Sequence, residues 1–111
     1  MNKAVTDELN KIVGALAQTG IVSRIFLFGS YARGEETPDS DIDLCVLTPV
    51  KDRRPIDITI DLRMKLAGIK KMPLDLLTFN QDEFFSHAKR PTSFQHEIAE
   101  NGVLLYEQKS T

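Results

Sequence analysis

Gly29-Ser30 and Asp41-Ile42-Asp43 are the residues of this chain whose types and spacing suit chemistry. An apolar run, Ile25-Phe26-Leu27-Phe28, leads into Gly29. Ten residues separate Ser30 from Asp41, and a second apolar run, Leu44-Cys45-Val46-Leu47, follows Asp43. The pattern predicts a strand, a Gly-Ser turn, a short helix, a polar loop, and a strand carrying two carboxylates. Side chains at i and i+2 of a strand share a face, roughly 6–7 Å apart. Asp41 and Asp43 therefore point one way, and Ile42 and Leu44 the other. Two carboxylates on one face suit a hard divalent cation such as Mg²⁺, which takes oxygen ligands and keeps part of its water. A Gly-Ser at the start of a helix offers free N–H groups to a phosphate. The combination suits a metal-bound nucleotide. A capping Ser30 followed by a solvated acidic loop around Asp39 and Asp41 would explain the polar residues alone, but neither the same-face pair nor its apolar flanks.

The elements that must position these residues are legible around them. Leu9, Ile12, Val13, Leu16 and Ala17 recur at helical spacing, which predicts a helix over residues 2–18, with Gly20 just past its end. A strand is expected over 21–28, with Arg24 near an edge or an end. A short helix capped by Ser30 follows over 30–34, then a turn-rich loop over 35–40 and a strand over 41–48. Pro55 suits a first helical turn. Ile58, Leu62, Leu66 and Ile69 mark one face of a helix over 55–67, which Gly68 ends. The third strand is expected over 73–79, with Asp75 its only acid. Asn80 caps a helix over 81–88, and a further helix over 92–100 carries Phe94 and Ile98 inward. Residues 103–106 read as a last strand. This alternation predicts a small α/β (α+β) domain, a mixed β-sheet covered by helices. One domain is expected over 1–107, with a frayed tail over 108–111.

Composition narrows the function. The chain has 111 residues, 41% of them hydrophobic, enough for one core. Fourteen basic and sixteen acidic residues give a net charge of −2, which argues against bulk nucleic-acid binding through a basic surface. The single cysteine, Cys45, permits no intrachain disulfide and fits a small core residue in a reducing cytoplasm. No apolar run is long enough to span a membrane, and the start of the chain lacks a signal-peptide pattern.

Gly29-Ser30, Ala32-Arg33-Gly34 and the Asp41-x-Asp43 pair resemble the signature of the nucleotidyltransferase superfamily that includes DNA polymerase beta and kanamycin nucleotidyltransferase. The short spacer is most similar to the minimal nucleotidyltransferases, many of which are antitoxins paired with HEPN-domain toxins. The resemblance covers about the whole chain and implies the nucleotidyltransferase fold. It implies transfer of a nucleotide, with ATP as donor and two Mg²⁺ ions as cofactors. Asp41 and Asp43 would hold the metals, with Asp75 as the third acid and proton acceptor. Gly29 would admit a phosphate, Ser30 would bond the β- or γ-phosphate, and Arg33 would neutralise one. Arg33 pairing with Glu36 or Asp39 is the alternative. An Asp75 between Leu74 and Leu76 is costly in a strand unless it coordinates or pairs.

Larger members carry a second domain for the acceptor, for which 111 residues leave no room. The acceptor is therefore expected to dock on this domain or arrive as a separate protein, for which the resemblance implies a HEPN-type RNase toxin. The alternatives are an enzyme modifying a small molecule such as an aminoglycoside, and a non-catalytic antitoxin that binds its toxin. Residues 35–40 and 51–55, the latter carrying Lys51, Arg53 and Arg54, are the expected docking rim. His87 and His96 have no second ligand at metal spacing and read as surface groups.

Overall fold

The computed structural model describes residues 1–109. Helix α1 (Lys3–Gln18) begins at Asn2, whose side chain accepts the Val5 N–H at 2.9 Å. Its buried residues Val5, Leu9, Ile12 and Leu16 form one stripe, as helical periodicity requires. Then follow β1 (Arg24–Phe28), α2 (Ser30–Arg33), β2 (Ile42–Thr48), α3 (Pro55–Leu66), β3 (Leu74–Asn80), α4 (Gln81–Ala88), α5 (Phe94–Asn101) and β4 (Val103–Glu107). Asn80 caps α4 as expected, accepting from the Asp82 and Glu83 N–H groups.

Several local expectations differ. The first strand starts at Arg24 rather than residue 21, and the second at Ile42, so Asp41 stands just outside it. Gly29, not Ser30, occupies the cap of α2. Its φ of 76° turns the chain from strand into helix, and Ser30 becomes the first helical residue. Phe94 is 47% exposed rather than inward, although it meets Phe28 edge to face at 5.6 Å. Of the expected frayed tail, Gln108 donates its N–H to the Ser23 carbonyl at 2.8 Å. Ser110 and Thr111 lie outside the described residues.

The four strands form one mixed sheet in the order β3-β2-β1-β4. β1 runs antiparallel to both β2 and β4, and α3 is the crossover that makes β3 parallel to β2. Strand alternation divides the core between two faces. One face carries Ile25, Leu27, Ile42, Leu44, Val46 and Leu76 against α1 and α3. The other carries Phe26, Cys45 and Leu47 against Phe84 of α4 and Ile98 of α5. Burial pushes the Cys45 thiol up to about 12, so it stays a protonated core group. The exposed side of α3 carries Ile56, Ile60 and Met64 at four-residue spacing.

A buried glutamate ties α1 to the entrance of β3. Glu8 is 5% exposed, and its carboxylate accepts the backbone N–H groups of Lys71 and Met72, the latter at 2.8 Å. Burial alone would raise its pKa. The two backbone hydrogen bonds, with Lys11 and Lys71, outweigh that and lower it. A lowered pKa adds stability above the ordinary glutamate range, lost as pH falls through the folded-state value. Glu8→Ala should cost about 2–3 kcal/mol at neutral pH by denaturant titration, since both amides lose a charged acceptor. The difference from the parent should shrink as pH falls below the ordinary glutamate range.

Candidate active site

Asp43 lies on the α4/α5 face of the sheet. Its neighbour across the β1 ladder is Phe28, and across the β2–β3 ladder Asp75. Paired positions on adjacent strands project from the same face, so Asp43 and Asp75 point the same way. Asp41 has the same parity, two residues before Asp43. Cover runs out towards these acids: Cys45 and Leu47 are buried, Asp43 is half-buried, and Asp41 and Asp75 are exposed.

Gly29 fits against Asp43. A Cβ at position 29 would sit 2.1 Å from Asp43 Oδ2 and 3.0 Å from its Cγ, and the φ of 76° already disfavours any other residue. The turn thus exposes its backbone directly to the carboxylate. A cleft of about 250 Å³ opens beside Gly29, between Phe28, Ala32 and Arg33 on one side and Phe94, Glu97 and Asn101 of α5 on the other.

The charges of the site act on one another. Burial raises the Asp43 pKa first, then the negative charges of Asp75 and Asp41, while Arg33 opposes the rise. Arg33 bonds Glu35, Nε to Oε2 at 3.1 Å, rather than Glu36 or Asp39, the partners of the alternative reading. Asp75 Oδ1 lies 3.5 Å from Arg63 Nη2 on α3. Among the described residues, no three of His, Cys, Asp and Glu are gathered closely enough to hold a metal ion. The acids fit a hard cation in donor type, and Asp43 and Asp75 share a face; Asp75 lies against Arg63 rather than in a closed set of three.

Two expectations about the surroundings change. Residues 51–55 follow the far end of β2, five residues from Asp43 and so roughly 16 Å along the strand. They do not border the acids. Their cations are taken up locally: Lys51 by Asp82 at 3.2 Å, Arg53 by Asp61, and Arg54 by Asp57 at 2.9 Å. Arg63 was not visible as a site residue, because its contact depends on how α3 lies along β3. His96 is a structural group, with Nδ1 2.8 Å from the Ala88 carbonyl.

A family model described as polymerase beta, nucleotidyltransferase, matches residues 10–111. The chain belongs to this nucleotidyltransferase family. A Methanocaldococcus jannaschii protein named "Putative protein adenylyltransferase" is 36% identical over 87 residues, 78% of this chain and 81% of the relative. A mutant form of the toxin-antitoxin MntA-HpeT has a similar fold, with TM-score 0.58 and 22% identity over 90% of this chain and 73% of that one. A toxin-antitoxin structure with AMP-PNP matches at TM-score 0.54 and 22% identity, with the same coverage. The enzyme is thus a nucleotidyltransferase on a four-stranded mixed sheet.

Two substitutions probe the nucleotidyltransferase site. Gly29→Ala should lower stability by about 1 kcal/mol or more, from backbone strain and displacement of Asp43, and reduce transfer. Thermal unfolding and a transfer assay check the two effects. Asp43→Asn should raise the melting temperature of the chain at neutral pH in chelator. The sign follows from the raised pKa: the stability Asp43 adds belongs to its protonated form and is lost as pH rises through the folded-state value. The asparagine removes that loss, so the gap should close at acid pH.

Proposed function

We propose that the chain transfers AMP from ATP to a hydroxyl of a partner protein, as an antitoxin that silences a HEPN-type RNase. The observation that carries this reading is the Asp43–Asp75 register beside Gly29, which gathers acids and an unobstructed turn on one open sheet face. Asp41, Asp43 and Asp75 would hold Mg²⁺, with two ions as the expected number. When bound, the metal neutralises charge on the triphosphate and on the attacking and leaving oxygens. Gly29 admits a phosphate close to the backbone. Ser30 supplies a hydroxyl to the β- or γ-phosphate, and Arg33 a positive charge. The acceptor oxygen attacks the α-phosphorus, its proton passes to Asp75, and pyrophosphate leaves with the electrons of the broken P–O bond.

A protein acceptor is favoured over a small molecule by the name of the Methanocaldococcus relative and by the toxin-antitoxin fold neighbours. AMP-PNP in one neighbour supports an adenine nucleotide as donor. The exposed Ile56, Ile60 and Met64 of α3 also suit contact with a protein better than contact with water.

The test is transfer of label from α-labelled ATP with Mg²⁺, with and without the product of the neighbouring reading frame. Label on that protein is expected, lost in Asp43→Ala, which should remain folded because the substitution removes the repulsion that Asp75 and Asp41 exert on Asp43. Rapid labelling of an added aminoglycoside would move the reading to a small-molecule enzyme. A tight complex without label would leave a binding antitoxin.

A further inference from the structure

We propose that Arg63 is the internal counter-ion of the third acid. It holds the Asp75 carboxylate in the cation-free protein and must release it before a divalent ion can be shared with Asp41 and Asp43. The inference rests on the metal-site reading above and concerns how that site is kept without its cation.

The geometry points to this role from both ends of the pair. Arg63 lies on α3 between Leu62 and Leu66, both fully buried, so packing sets where its side chain starts. Its guanidinium reaches Asp75 Oδ1 at 3.5 Å. β3 is an edge strand, which lets a side chain from the α3 face meet one that belongs to the opposite face. Asp75 stands in register with Asp43, and Arg33, the other cation near these acids, is bonded to Glu35. An exposed ion pair adds little to stability by itself. Here its acid is one of two whose negative charges act on Asp43, the other being Asp41, so the guanidinium stands at the edge of a group of like charges. The guanidinium lies on Asp75 Oδ1 itself, and among the described residues no three acids stand close enough for a metal. A divalent ion must therefore compete with Arg63 for Asp75. Arg63 is a positioning residue, acting through the acid it holds.

Mg²⁺ binding is read without nucleotide, as the rise in melting temperature with MgCl₂ at constant ionic strength. The chain is compared with Arg63→Gln, Arg63→Met, Arg63→Lys and Asp43→Asn. The Gln and Met variants should reach half-maximal stabilisation at about three- to tenfold lower Mg²⁺, as expected for loss of one nearby positive charge at intermediate dielectric. Arg63→Lys keeps the charge and should stay within about twofold of the parent. Asp43→Asn should abolish the response. A parent that responds to Mg²⁺ while the Gln and Met variants respond at the same concentration would overturn the role of Arg63 and leave the metal site standing. A parent with no more response than Asp43→Asn would overturn the metal site and this inference with it.

Discussion

The contact between the Gly29 backbone and the Asp43 carboxylate constrains everything around it. It needs a residue without a Cβ, at a positive φ, where a strand turns into a helix. It also needs β1 and β2 held so that Phe28 is level with Asp43. A slip of one residue would send Asp43 to the opposite face and bring Ile42 or Leu44 into its place. The buried side chains on both faces of the two central strands are what resist that slip.

The acids stand where the core ends. On the α1/α3 face the sheet is packed along its length, with Ile42, Leu44 and Val46 fully buried. On the other face the aromatic cluster covers Cys45 and Leu47 and leaves Asp43 and Asp75 less covered. Repulsion among Asp41, Asp43 and Asp75 therefore acts at the rim of a packed structure, where a ligand can reach it. The packed positions and the candidate acid Asp43 thus occupy different parts of the same seven-residue strand.

Much of this arrangement was legible because it is local. Gly29-Ser30, the Asp41–Asp43 alternation, the Asn80 cap and the stripe of α1 each depend on residues a few positions apart. Asp75 was legible as a lone acid in an apolar strand. What was not legible depends on tertiary placement. Arg33 met Glu35 rather than Glu36 or Asp39, a choice among three acids that only the shape of the loop makes. Arg63 reached Asp75 because α3 crosses over to an edge strand. Residues 51–55 looked close to Asp43 in sequence, but a strand carries successive residues steadily away, and they end at the opposite end of the sheet.

The Glu8 carboxylate gives the first helix a hold on the third acid. Its two acceptor bonds fix Lys71 and Met72, which lead into β3 three residues before Asp75. Helix and strand entrance are thus joined through one buried carboxylate. Unwinding the first turns of α1 would withdraw the carboxylate from both amides. Helix α1 supplies none of the candidate site residues, yet its buried glutamate anchors the segment from which the strand of Asp75 begins.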